Sequence, residues 1–188
     1  MTPRISVITA AIPTRLAVLH SCVESVNQQT LPAIEHRIAI DLERAGTGAV
    51  KTSLLWGARG DWVAPLDDDD VLLSNHLATL AGHAPDADVV YSFCRVDGRP
   101  GWNPNRTFDA DALRQGNFIP ATALIRRELA VAVGGWRDSA ACPHGWEDWD
   151  FWLRCLDLGA RFACAPSVTW VYRFHGGNKT YRGEQEAS

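Results

Sequence analysis

Through residues 5–66, short β-branched apolar runs alternate with longer amphipathic stretches. Ile5 to Thr9 has the length and residue types of a buried strand. Thr14 is placed to cap a helix running to about Gln29, with Leu16, Leu19, Val23 and Val26 at 3–4 spacing on one face, and Leu31-Pro32 stops it. Arg37 to Ile40 reads as a second strand with Asp41 at its C-terminal end. Gly46 and Gly48 mark a loop, Ala49 to Ala58 a helix closed by Gly60, and Asp61 to Leu66 a third strand. Strand, helix, strand, helix, strand requires parallel pairing with right-handed crossovers. Such sheets bind ligands in the crevice beyond the C-terminal ends of their strands. Asp41 and the run Asp67–Asp70 both fall on that rim.

The later chain changes character. Ser74 is placed to cap a helix through Leu80, Asp88 to Arg95 reads as a strand, and Asp97-Gly98 has the composition of a hairpin turn. Phe118 to Ile125 is a further strand, Gly134-Gly135 a helix stop, and Glu147 to Leu158 an amphipathic helix ended by Gly159. Phe162 to Ala165 and Val168 to Phe174 are strands, and the polar residues 182–188 form a tail. There is no internal repeat or long linker. The expectation is one α/β domain over 1–181, its central sheet mixed and flanked by helices.

Composition narrows the function classes. A net charge of −4 argues against nucleic-acid binding by phosphate neutralisation. No stretch approaches the roughly 18 uncharged apolar residues of a membrane-spanning helix. Pro13 and Arg15 interrupt the apolar N-terminal run, which is read as fold rather than signal peptide. The 5 cysteines are widely spaced with no CxxC pair, which points to reduced thiols and a cytoplasmic protein, at most peripheral at a membrane.

Three segments carry chemistry. In LDDDDVL, residues 66–72, four consecutive carboxylates follow a strand; one or two such acids with open positions toward a crevice suit Mg²⁺ or Mn²⁺ bound together with substrate phosphates. An EF-hand register from Asp67 fails, because Leu72 stands sixth and Ala78 twelfth. In GWEDWDFWLRC, residues 145–155, acids open a helix, where the helix dipole favours negative charge; they are either capping groups or include a general base. Trp146 stands just before that helix, whereas the helical spacing of Trp149 and Trp152 suits the core. In TWVYRFHGGNKT, residues 169–180, a strand enters a Gly-Gly loop bearing Arg173, His175, Asn178, Lys179 and Thr180, a composition able to close over phosphates, with His175 as a candidate metal ligand. AGTGAVK lacks the third glycine of a dinucleotide fingerprint, GxxxxGK[ST] and GxSxG are absent, and Cys142-Pro143-His144 lacks partners for zinc.

Taken in order, ISVITAAIPTR with CVESVNQQTLP, IAID, ARGDWVAPLDDDDVL, GNFIPATALIRRELAVAVGGW, GWEDWDFWLRCLDLGARF and VYRFHGGNKT resemble the family 2 glycosyltransferases, inverting enzymes of GT-A fold. The resemblance implies a Rossmann-like nucleotide-binding half, 1–73, and an acceptor-binding half, 74–181. It implies that Asp41 contacts the nucleotide base, and that Asp67 lies near the ribose with Asp68 and Arg15 among the donor contacts. Asp69 would hold the divalent cation, with a register shift of one leaving Asp68 and Asp70 open. Asp148 would be the catalytic base with Glu147 beside it. His175 would be a further metal or diphosphate contact and Arg173 a diphosphate partner. Trp146 and Asn117 would face the acceptor. Two segments depart from the family pattern: ITAAIPTR lacks the usual Tyr-Asn pair, and Leu-Glu-Arg follows Asp41 in place of Asp-Gly-Ser.

The implied reaction moves a sugar from a nucleotide-diphosphate sugar to a hydroxyl of a glycan, lipid carrier, small molecule or protein. Two alternatives stand beside it. One is an inactive sugar-nucleotide-binding protein of the same fold, motivated by the departures around Asp41. The other is a sugar-phosphate nucleotidyltransferase, which would need a glycine-rich phosphate loop where TAAIPTR stands.

Overall fold

The computed structural model describes residues 2–143, 146–175 and 178. Seven strands form one sheet: β1 (Ile5–Ala11), β2 (Glu35–Ile40), β3 (Trp62–Pro65), β4 (Val71–Leu72), β5 (Val89–Asp97), β6 (Leu124–Arg126) and β7 (Phe162–Arg173). Their order across the sheet is β2-β1-β3-β6-β5-β7-β4. β1 pairs in parallel with β2 and β3, and β5 in parallel with β7; β6 runs antiparallel between β3 and β5, and β4 antiparallel to β7. The expected α/β fold with a mixed central sheet is the one observed.

Both faces of the sheet are covered, so its central strands are apolar without alternation. On one face Ile5 and Val7 of β1 and Trp62 and Ala64 of β3 pack with α1 (Leu16–Asn27) and α3 (His76–His83). On the other, Ile8 and Val63 pack with α2 (Thr47–Trp56), α5 (Arg127–Ala132) and α6 (Glu147–Asp157). A short helix α4 (Ala110–Gln115), capped by the Asp109 carboxylate on Ala112 N, precedes β6. Among the described residues no helix is long and apolar enough to cross a membrane.

Several local expectations are corrected. Thr14 caps nothing: Pro13–Arg15 is a 3-10 turn, closed by Arg15 N on Ile12 O, and α1 starts after it. On α1 the buried residues are Cys22, Ser25 and Val26, with Leu19 packed beside them as expected, while Leu16 is exposed. Ser74 caps nothing either, since α3 follows Asn75 without a side-chain cap. Asp97-Gly98 makes no hairpin. Gly98 has φ +95°, and a Cβ there would lie 2.2 Å from Phe174 O, so glycine is needed where the chain after β7 comes close. Of the expected strand Phe118 to Ile125 only Leu124 and Ile125 lie in the sheet, in β6. The two expected last strands are one, β7, whose register against β5 slips where Pro166 lacks an N–H.

Candidate active site

β3 delivers the acid run to the sheet's C-terminal rim. Leu66 N donates to Ile8 O on β1, Asp70 N closes a turn on Asp67 O, and the chain then enters β4. Asp68, Asp69 and Asp70 are buried, and Asp67 is half-exposed. Each has a different partner. Asp68 accepts from Ile12 N and from Arg15 Nη1, both at 3.0 Å. Asp69 Oδ2 meets Arg15 Nη1 at 2.7 Å, His175 Nε2 at 2.9 Å and Asn178 Nδ2 at 3.5 Å. Asp70 accepts from Arg173 N at 3.1 Å. Asp67 faces Lys51 Nζ at 3.2 Å.

These contacts do not balance the charge. Burial, together with Asp67, raises the carboxyl of Asp69 above its ordinary value despite Arg15 and His175. Burial and the neighbouring Asp67 and Asp69 hold Asp70 well above it. Asp70 reaches the Arg173 backbone, whose guanidinium goes instead to Ser21 Oγ at 2.7 Å.

The second acidic group opens α6. Glu147 accepts from Ser139 Oγ at 2.8 Å. Asp150 is buried against Arg154 at 2.8 Å and Arg137 at 3.5 Å. Asp148 faces Lys51 Nζ at 3.3 Å. Burial lifts the Asp148 carboxyl to about 6 against the pull of Lys51, with Glu147 and Asp67 pushing the same way as burial. Sequence reasoning passed over Lys51. Its signal was available: it is one of only two lysines, Lys51 and Lys179, and the one charged residue of its helix.

The docking of α2 fixes this geometry. A Cβ at Gly48 would lie 2.0 Å from Arg137 O, so only glycine lets the helix approach the segment before α6. One turn on, Thr52 Oγ1 donates to Trp136 O and accepts from Trp136 N, both at 2.8 Å. Lys51 sits between these anchors.

Asp67–Asp70, Arg15, Asn117, Trp146, Glu147 and Asp148 all line one cavity of about 590 Å³. The fold thus brings together most of the residues singled out from the sequence. Arg173 and His175 are not in its lining, although His175 reaches Asp69. Asp41 is also outside it: its carboxylate accepts from Ala45 N at 2.8 Å and Gly46 N at 2.9 Å, shaping the turn into α2. Asn117 Oδ1 accepts from Ile119 N. Trp152 is core, as expected; Trp149 packs against the same core cluster and also lines the cavity, with Nε1 on Leu113 O at 2.6 Å. Gly176, Gly177, Lys179, Thr180 and the 182–188 tail lie outside the described residues.

The residues suit a cation of the Mg²⁺ or Mn²⁺ type. Asp69 and His175 offer a carboxylate oxygen and an imidazole nitrogen, and the uncompensated charge at Asp69 and Asp70 is what a divalent ion would offset. Among the described residues no group of three or more His, Cys, Asp or Glu converges as a cage, so the remaining positions would be left to ligand oxygens.

No family profile matches the chain, and no curated protein matches it. Solved structures do. S. aureus TarS in complex with UDP-GlcNAc has a TM-score of 0.71 at 16% identity, over 93% of this chain and 60% of that one. The mannosyltransferase PcManGT from Pyrobaculum calidifontis, in complex with GDP-Man and Mn²⁺, has a TM-score of 0.67 at 16% identity, over 98% of this chain and 60% of that one. The architecture is the GT-A-like fold of these glycosyltransferases. The chain spans 60% of the length of each.

Proposed function

We propose that the protein is an inverting glycosyltransferase, moving a sugar from a nucleotide-diphosphate donor to an acceptor hydroxyl. One observation carries this reading: the acid run and the Glu147–Asp148 pair, 77 residues apart at their closest, line the same cavity. Neighbours of the same fold hold UDP-GlcNAc or GDP-Man, which supports a sugar nucleotide as donor.

Asp67 and Asp68 would contact the donor, with Arg15 beside the phosphates. Asp69 and His175 would hold the divalent cation, which when bound supplies charge neutralisation for a departing diphosphate. Asp148, ionised above pH about 6, accepts the proton of the acceptor hydroxyl, and that oxygen attacks the anomeric carbon opposite the leaving diphosphate. No covalent enzyme intermediate is required. Glu147 braces the start of α6 through Ser139. Trp146 and Trp149 offer aromatic surface for the acceptor beside Asn117.

The test is a screen of nucleotide sugars for nucleoside diphosphate release, with and without Mn²⁺ or Mg²⁺, on wild type and Asp69→Asn. Metal-dependent release lost in the variant is the expected result. The 2.7 Å contact of Arg15 with Asp69 favours one rival, a binding protein that neutralises the acid run with its own arginine. Donor binding that ignores metal, without turnover on any acceptor, would select that rival.

A further inference from the structure

Lys51 is 1% exposed, on a helix one turn from solvent-accessible positions. A lysine normally lays its stem on apolar surface and keeps its ammonium in water. Here the ammonium turns inward, and burying it is costly unless it is paired. A buried ion pair is seldom the cheapest way to stabilise a fold, since a hydrophobic residue of similar volume commonly does as well. The place it occupies is therefore informative. Its Nζ lies 3.2 Å from Asp67 and 3.3 Å from Asp148, and both carboxylates line the cavity. One belongs to the donor end of the proposed site and the other is its base.

Resting on that proposed function, we propose that Lys51 is a positioning residue of the transfer: from its seat between Asp67 and Asp148 it keeps the base charged and fixes its place relative to the donor carboxylate. The backbone supports such a task. Gly48 and Thr52, three residues before Lys51 and one after it, lock α2 onto the Trp136–Arg137 segment that leads to α6, so the ammonium and Asp148 are held by one rigid contact. Among the described residues, the charged groups acting on Asp148 are Lys51 from α2, Glu147 from its own helix and Asp67 from the turn after β3. Two of the three are carboxylates that oppose its ionisation. Lys51 is the counterweight, and it is shared: Asp67 competes for it. The charge on Asp148 thus depends on how Asp67 is engaged.

The experiment follows the Asp148 carboxyl by ¹³C NMR titration, assigned by its loss in Asp148→Asn, alongside the pH dependence of kcat/KM. Lys51→Met is expected to move the Asp148 midpoint and the acid limb of the rate profile up by about one pH unit or more. Its rate should recover toward alkaline pH. Lys51→Arg should keep both near wild type. Asp67→Asn should move the midpoint down, because Lys51 then serves Asp148 alone; this half-exposed position also keeps the test open if Lys51→Met does not fold. A Lys51→Met loss that is uniform across pH, with Asp148 titrating as in wild type, overturns the proposal, as does an unmoved midpoint in Asp67→Asn. The titration needs no substrate. If no donor turns over, the transferase reading falls while the midpoints still decide whether Lys51 governs Asp148.

Discussion

The protein has two acidic runs, Asp67–Asp70 after β3 and Glu147, Asp148 and Asp150 at the start of α6, and they are neutralised by different means. In the first run the partners come from strands and loops distant in sequence: Ile12 N and Arg15 on Asp68, Arg173 N on Asp70. In the second they are side chains of helices and their flanks: Ser139 on Glu147, Arg137 and Arg154 on Asp150. Yet the division of labour is the same. In each run some carboxylates are spent on architecture, and others face the cavity with incomplete charge compensation. Asp150 and Asp148 are two residues apart on one helix and serve opposite ends. A row of acids is therefore best read by asking which members the fold has already consumed.

That division can be broken most sharply at Asp148. Asp148→Asn is expected to lower kcat roughly 10²–10⁴-fold, the usual contribution of a positioned base, with little change in melting temperature. Asp150→Ala should do the reverse. It strands Arg154 and Arg137 beside a buried gap and should cost roughly 3–5 kcal/mol in urea unfolding. If Asp150→Ala abolishes turnover at full stability, the two acids have been assigned the wrong way round.

Gly48→Ala tests the joint between the runs. The new methyl meets Arg137 O, and overpacking of this kind costs about 1–3 kcal/mol. Because Lys51 rides on the same helix, turnover should fall with stability rather than independently of it.

Acidification gives the smallest effect and the finest distinction. Turnover should fall about tenfold per unit below pH about 6 as Asp148 takes up its proton. Stability moves differently. The folded Asp148 carboxyl binds a proton before the unfolded one does, so this group favours the fold more at pH 5 than at pH 7, by about 1 kcal/mol. His36 and His76, held neutral by burial at about 4 and about 3, work against it, because the unfolded chain takes protons that the fold refuses as pH drops below 6.5. Melting curves of wild type and Asp148→Asn should therefore diverge on acidification, with the variant losing more.

The parts of this molecule legible in its sequence are those set by local pattern. The alternation over residues 5–66 fixed a parallel beginning, and the acid run fell on the sheet rim because β3 ends at Pro65. The acids of α6 announced a helix start and were found there. Long-range choices were hidden. Asp97-Gly98 carries the letters of a hairpin, but its glycine answers to Phe174, 76 residues away. Asp41 is the local exception: at its strand end it accepts from the Ala45 and Gly46 amides of the next turn. Lys51 gains its meaning only when two carboxylates, 16 residues and 97 residues further along, converge on it.

β4 has two residues, Val71 and Leu72, and its partner is β7. The early chain thus contributes both margins of the sheet, β2 at one end and β4 at the other, with the later strands enclosed between them. A ribosome making this chain releases the clasp long before the strand it closes on. The acid run must wait, unpaired on that side, until residues 162–173 have emerged, and a nascent chain stalled before them holds its aspartates without the Arg173 amide or His175 that frame them in the finished molecule.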